Sequence, residues 1–188
     1  MMSAASTAGV VALLTAQLVA FLALILLASG LHKLIRRARS QAVVREFADV
    51  PRALAPFTVW VVATAELLAG LLLLTPAYRA VGGVLAALIW AAYLGLIVRA
   101  IAQGRRDVDC GCTFGMAHRP LSAFQVTRNV VLVVMAALAS GSAPMSMGSM
   151  AHGPLIASQI LTALALAALY GALEQVMALT PPRDGVSL

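Results

Sequence analysis

The 188-residue chain has two cysteines, Cys110 and Cys112, in the run Asp109-Cys110-Gly111-Cys112-Thr113-Phe114-Gly115. A lone cysteine is usually a small buried hydrophobe, but here both thiols share one polar stretch. A disulfide needs Cα atoms about 4.4–6.8 Å apart. An extended i, i+2 pair sits near the upper limit, so the chain must turn, and Gly111 permits a turn at little steric cost. A strained disulfide is easily reduced, which suits exchange better than structural stapling. Arg105, Arg106 and Arg119 favour the thiolate, while Asp107 and Asp109 oppose it. Zinc is the competing use, with His118 as a third ligand. Structural zinc wants four ligands and wider cysteine spacing, so no metal is assigned there. A second stretch, Met145-Ser146-Met147-Gly148-Ser149-Met150-Ala151-His152, offers thioethers and an imidazole that suit Cu(I). The plainer reading, which takes precedence, is a small, flexible apolar loop resting on the membrane surface.

These residues sit in an unusual chain. Hydrophobic residues make up 62% and charged residues 11%, against about 45–50% and about 25% in soluble domains. Mean hydropathy is +0.96. An ordinary soluble fold, a disordered chain and a disulfide scaffold are all excluded. Five apolar stretches, 10–31, 53–74, 80–101, 121–140 and 155–179, are long enough to cross hydrocarbon as helices. The expectation is an all-α integral membrane protein, a bundle of about five transmembrane helices forming a single membrane domain over 1–188. No basic residue precedes the first stretch, so it reads as an uncleaved span.

Charge then orients the bundle. Lys33, Arg36, Arg37, Arg39, Arg45 and Arg52 follow span one, and Arg99, Arg105, Arg106 and Arg119 bracket the segment after span three. The opposite connections carry Arg79 alone. Positive residues favour the cytoplasm. The N-terminus is therefore expected outside and the Cys110/Cys112 loop in the cytoplasm of a bacterial-type plasma membrane.

Polar residues at membrane depth are costly and mark candidate sites. Glu66 lies about 20 Å from the inner face and Arg128 about 10 Å from it, at 1.5 Å per residue. Gln125, Arg128 and Asn129 share one helix face. An ion pair of Arg128 with Glu66 or Glu174 would fix packing; the alternative is that these groups tune or protonate the cysteine loop. His32 and Lys33 read as an interfacial, snorkelling pair, with proton transfer as the alternative for His32. Trp60, Trp90, Tyr78 and Tyr93 read as lipid-facing or core. Gly70, Gly82, Gly83 and Gly95 are expected to allow close helix approach.

Four local features together resemble the methylamine-utilisation MauE family, within a wider DoxX-like membrane group. They are Gly30-Leu31-His32-Lys33, Glu66-Leu67-Leu68-Ala69-Gly70, Asp109-Cys110-Gly111-Cys112 with Phe114-Gly115, and Arg128-Asn129 downstream of Pro120-Leu121-Ser122. Thr113 departs from the pattern, because in the family phenylalanine more often follows the second cysteine directly. The resemblance implies a part in maturing methylamine dehydrogenase, whose small subunit is rich in disulfides.

The leading expectation is membrane thiol–disulfide exchange with Cys110 and Cys112 as the redox pair. Arg128, Asn129, Glu66 and His32 would support it. A thioredoxin-like redox protein is the expected partner, alongside the lipid bilayer and an exported client; nucleic acid is not expected. A quinone is a candidate acceptor without a motif of its own. Two rival readings are a non-catalytic assembly subunit and a copper-handling protein using Met145, Met147, Met150 and His152. An exported client sits awkwardly with a cytoplasmic cysteine loop. Either the loop folds into the bundle and passes electrons across, or the orientation is inverted.

Overall fold

The computed structural model describes residues 4–105, 123–141 and 153–179. Among them every regular element is helical: α1 (Ala4–Ile35), α2 (Arg37–Ala48), α3 (Ala55–Leu74), α4 (Arg79–Ala102), α5 (Ala123–Ser140) and α6 (Gly153–Leu179), with a 3₁₀ turn at Pro76–Tyr78. Four helical stretches are long and apolar enough to span a bilayer: Gly9–Ile35, Ala55–Leu74, Pro76–Ala102 and Ala123–Gly141. A fifth apolar stretch, Ile160–Leu173, lies within α6.

Polarity runs inside out. Leu14, Leu88, Leu138 and Leu169 are each more than 60% exposed, whereas Glu66, Gln125 and Asn129 are 2% exposed or less. Such an exterior suits hydrocarbon and would be a large sticky surface in water. The chain is an all-α membrane protein.

In lipid, apolar surface supplies no drive for helices to associate, so close packing must hold them. Alanines at positions 23, 63, 69, 86, 136 and 139 are fully buried between helices. α1 packs chiefly on α3, and α4 on α5. Gly83 sets the α4–α5 spacing: a Cβ there would lie 2.8 Å from the Ser140 backbone nitrogen. Gly70 does the same for α1–α3, facing Leu27 at 2.8 Å and the Ala23 carbonyl at 3.2 Å. Gly82 is close-packed as expected, but Gly95 is not, since a Cβ there would meet nothing within 4 Å. α6 leans on α1, with Tyr170 edge-on to Phe21 at 5.9 Å between ring centres.

The segment between the first two spans reads as a loop in the sequence. It is instead largely helix. Val43 and Phe47, four residues apart, share a face of α2 and pack with Ile97 and Ala100 of α4. Asp49 ends α2 in the left-handed conformation, φ 53°, which aspartate tolerates better than most residues. Its carboxylate accepts hydrogen bonds from Arg105 at 3.0 and 3.1 Å and from Arg99 at 3.4 Å. Arg105 also donates to the Glu46 carbonyl. The basic segments after α1 and after α4 therefore share one end of the bundle.

The glycine contacts make a direct test. Gly83→Ala should cost about 1–3 kcal/mol by overpacking against rigid backbone, seen as a lower melting temperature in micelles. Gly95→Ala should be neutral or stabilising by up to about 1 kcal/mol through helix propensity. Equal effects at the two positions would contradict this packing.

Candidate functional site

One polar side chain organises the interior. Glu66 projects from α3, eleven residues beyond Ala55 and about 17 Å along the helix. An ionised carboxylate in such surroundings needs both a counter-charge and donors. Span one supplies most of them. Ser29 and Lys33 are four residues apart, hence on one face of α1. Lys33 Nζ lies 2.8 Å from Glu66 Oε1 and 2.9 Å from Oε2. It also donates to Ser29 Oγ at 2.7 Å, and the Ser29 hydroxyl in turn donates to Glu66 Oε1 at 3.1 Å. The Tyr93 hydroxyl of α4 donates to the same oxygen at 2.6 Å. The Tyr93 ring lies 5.5 Å from the Lys33 ammonium, within cation–π range.

All three ammonium protons of Lys33 thus have acceptors, and Glu66 receives donors from α1 and α4. Charge-assisted hydrogen bonds of this kind are shorter and stronger than neutral ones. With Glu66 1% and Lys33 13% exposed, little solvent screens the pair.

Beside the pair lies a cavity of about 20 Å³. Ser29, Glu66, Trp90, Tyr93, Arg128, Asn129 and Tyr170 contribute to its wall, so all five long helices meet there. That volume holds about one water molecule. Asn129 donates from Nδ2 to the Gln125 carbonyl at 2.8 Å. Its Oδ1 is buried and has no protein donor. A water in the adjoining cavity would satisfy it.

The sequence-derived candidates map onto this picture unevenly. Gln125, Arg128 and Asn129 are all buried on one face of α5, and Arg128 and Asn129 reach the cavity with Glu66. His32 is half-buried near the end of α1 and does not line the cavity. The expected snorkelling of Lys33 is wrong: its ammonium turns inward, because Glu66 offers a full counter-charge within reach. Tyr93, read as core or lipid-facing, supplies the shortest hydrogen bond on Glu66. Ser29 went unread. The available signals were the i, i+4 pairing of Ser29 with Lys33 and the need of a buried carboxylate for donors. Cys110, Cys112 and His118 lie outside the described residues, as do Met145, Met147, Met150, His152 and the Glu174 side chain.

The sequence profile of a family described as Methylamine utilisation protein MauE matches residues 9–141. A curated relative, the methylamine utilization protein MauE of Paracoccus denitrificans, is 29% identical over 158 residues, covering 82% of this chain and 85% of the relative. No solved structure gives a significant match. Residues 9–141 take in both cysteines and every side chain of the polar cluster except Tyr170.

Because the Glu66 pair is buried, removing one partner should do more harm than removing both. Lys33→Met is expected to cost about 3–5 kcal/mol, read by unfolding in mixed micelles. Adding Glu66→Gln to it should restore much of the loss, and Tyr93→Phe alone should cost about 1.5–3 kcal/mol. Simple additivity of Lys33→Met and Glu66→Gln would refute the coupling.

Proposed function

Since this chain belongs to the MauE family of methylamine-utilisation membrane proteins, we propose that it performs thiol–disulfide exchange at the membrane, with Cys110 and Cys112 as the redox pair. The observation carrying this reading is the placement of the chain's two cysteines, separated by one glycine, in the connection between α4 and α5. Those two helices also deliver Tyr93, Arg128 and Asn129 to the polar cluster. Arg99 and Arg105, before the connection, bind Asp49. Gln125, Arg128 and Asn129, just after it, are buried in the bundle. The described residues on either side of the cysteine-bearing segment thus contact other parts of the bundle.

The exchange itself conserves electrons and protons. One cysteine loses its proton, and the thiolate attacks a sulfur of the partner's disulfide. A mixed disulfide forms, and the partner's other sulfur leaves as a thiolate and takes up a proton. The second cysteine, deprotonated in turn, attacks the mixed disulfide and releases the partner's remaining sulfur. The pair ends oxidised and the partner ends reduced by two electrons; the reverse sequence oxidises the partner. A thioredoxin-like protein fits the role of partner, because its own dithiol chemistry matches a Cys-Gly-Cys pair. The family's link to methylamine utilisation points to maturation of a disulfide-rich methylamine dehydrogenase subunit as the purpose. Positive-residue bias supports a cytoplasmic location for the end that carries Arg36, Arg37, Arg39, Arg45, Arg52, Arg99 and Arg105.

The rival reading is a non-catalytic assembly subunit. The Glu66 cluster favours it, because Lys33, Ser29 and Tyr93 hold that carboxylate as an internal packing device between α1, α3 and α4.

Thiol trapping in intact cells separates the two. Under the exchange reading, maleimides label Cys110 and Cys112 only after reduction, and one of the two single Cys→Ser variants, the one that keeps the attacking cysteine and lacks the resolving one, accumulates a mixed disulfide with a partner. Growth on methylamine should fall more than tenfold in the double Cys→Ser variant. The impermeant maleimide reports the side, with protection expected for a cytoplasmic pair. Free labelling without reductant, together with normal growth of the double variant, would leave the assembly role.

A further inference from the structure

We propose that α2 and the turn after it bind the headgroup of an anionic phospholipid, seated between Arg45 and Arg52. The site follows from connectivity. The first span ends at Ile35 and the second begins at Ala55, so α2 lies at the level where the bundle leaves hydrocarbon. Val43 and Phe47 turn one face of α2 toward α4. Arg45, two residues from Phe47, lies about 200° around the helix from it and is exposed.

Charge at this end is one-sided. Arg36, Arg37, Arg39, Arg45 and Arg52 stand against Glu46 and Asp49, and the Asp49 carboxylate already serves Arg99 and Arg105. The Arg37 guanidinium lies over the half-exposed Trp60 ring at 4.6 Å. This arginine–aromatic pair is the kind that anchors proteins at the headgroup level. Among the described residues, Arg45 and Arg52 by contrast have no hydrogen-bond or ion-pair partner.

Between them lies a wide, shallow depression of about 440 Å³, walled by Ala42, Val50 and Pro51 and edged by Arg45, Glu46 and Arg52. Two guanidiniums and one carboxylate leave a single positive charge, which one phosphodiester neutralises. Guanidinium forks suit phosphate oxygens. The Glu46 carboxylate accepts hydrogen bonds, so it favours a headgroup that carries free hydroxyls beyond the phosphate. Phosphatidylglycerol has that chemistry. Phosphatidylcholine, with no donor and no net charge, does not.

The test is native mass spectrometry of the full-length protein released from micelles and titrated with phosphatidylglycerol or phosphatidylcholine. Soluble glycerol 3-phosphate and a polyglutamate peptide serve as competitors. Phosphatidylglycerol should be retained at least tenfold more strongly than phosphatidylcholine. Each surface arginine contributes roughly fivefold to anionic-lipid binding. Arg45→Gln with Arg52→Gln should therefore lower phosphatidylglycerol affinity by more than tenfold and leave phosphatidylcholine unchanged. Both side chains are exposed, so helical circular dichroism should not change, and the corresponding Lys variants should recover part of the binding. Equal retention of the two lipids, or undiminished phosphatidylglycerol binding in the Gln variant, would overturn the proposal. So would displacement of the lipid by glycerol 3-phosphate or polyglutamate at matching concentration, since the site would then serve a soluble anion or an acidic protein.

Discussion

A carboxylate in the middle of an apolar helix is the constraint from which the interior of this protein follows. Leaving Glu66 charged and alone in hydrocarbon would cost more than most single interactions return. The chain meets that cost with Lys33, Ser29 and Tyr93, drawn from two other helices. Once these are assembled, α1, α3 and α4 have a fixed register, because a slip of one residue would turn a donor into lipid. Hydrocarbon gives helices little reason to associate, so a polar network of this kind can specify an arrangement that apolar contact alone would leave loose.

Small residues make that network reachable. Gly70 brings α3 against α1, and Gly83 brings α4 against α5. With the backbones this close, a serine hydroxyl on one helix reaches a carboxylate on the next. The polar groups and the small residues are thus two parts of one solution: close approach shortens the reach, and the shortened reach satisfies the buried charge.

The same bundle divides its labour along its length. The polar cluster lies within the helices, while the end shared by α2 and the termini of α1 and α4 gathers the arginines. The Asp49 contacts with Arg99 and Arg105 are exposed ion pairs and add little stability on their own. Their consequence is geometric, since they tie the elbow after span one to the helix that precedes the cysteines. The described residues that flank this connection are held at one side by this elbow and at the other by the buried face of α5.

Much of this protein was written in its sequence. Long apolar runs must be helices in lipid, because no other local structure pairs its own backbone there; hence the first four spans were legible to within about four residues, while of the fifth only Ile160–Leu173 stands out as a shorter apolar stretch. The buried face Gln125, Arg128 and Asn129 was legible too, since helical periodicity alone puts them together. Partnership was not. Lys33 sits at the end of a span beside other basic residues, and nothing local distinguishes a lysine that reaches for solvent from one that reaches inward. Tyr93 has no local signal of its role, and α2 hides as a polar linker until α4 supplies Ile97 and Ala100 for Phe47 to meet. Those decisions belong to tertiary structure, because an ion pair, a hydrogen bond or a packed face between helices depends on which residues distant in sequence are brought within a few ångströms. Local pattern sets what each helix must bury, and only the assembled bundle chooses what it is buried against.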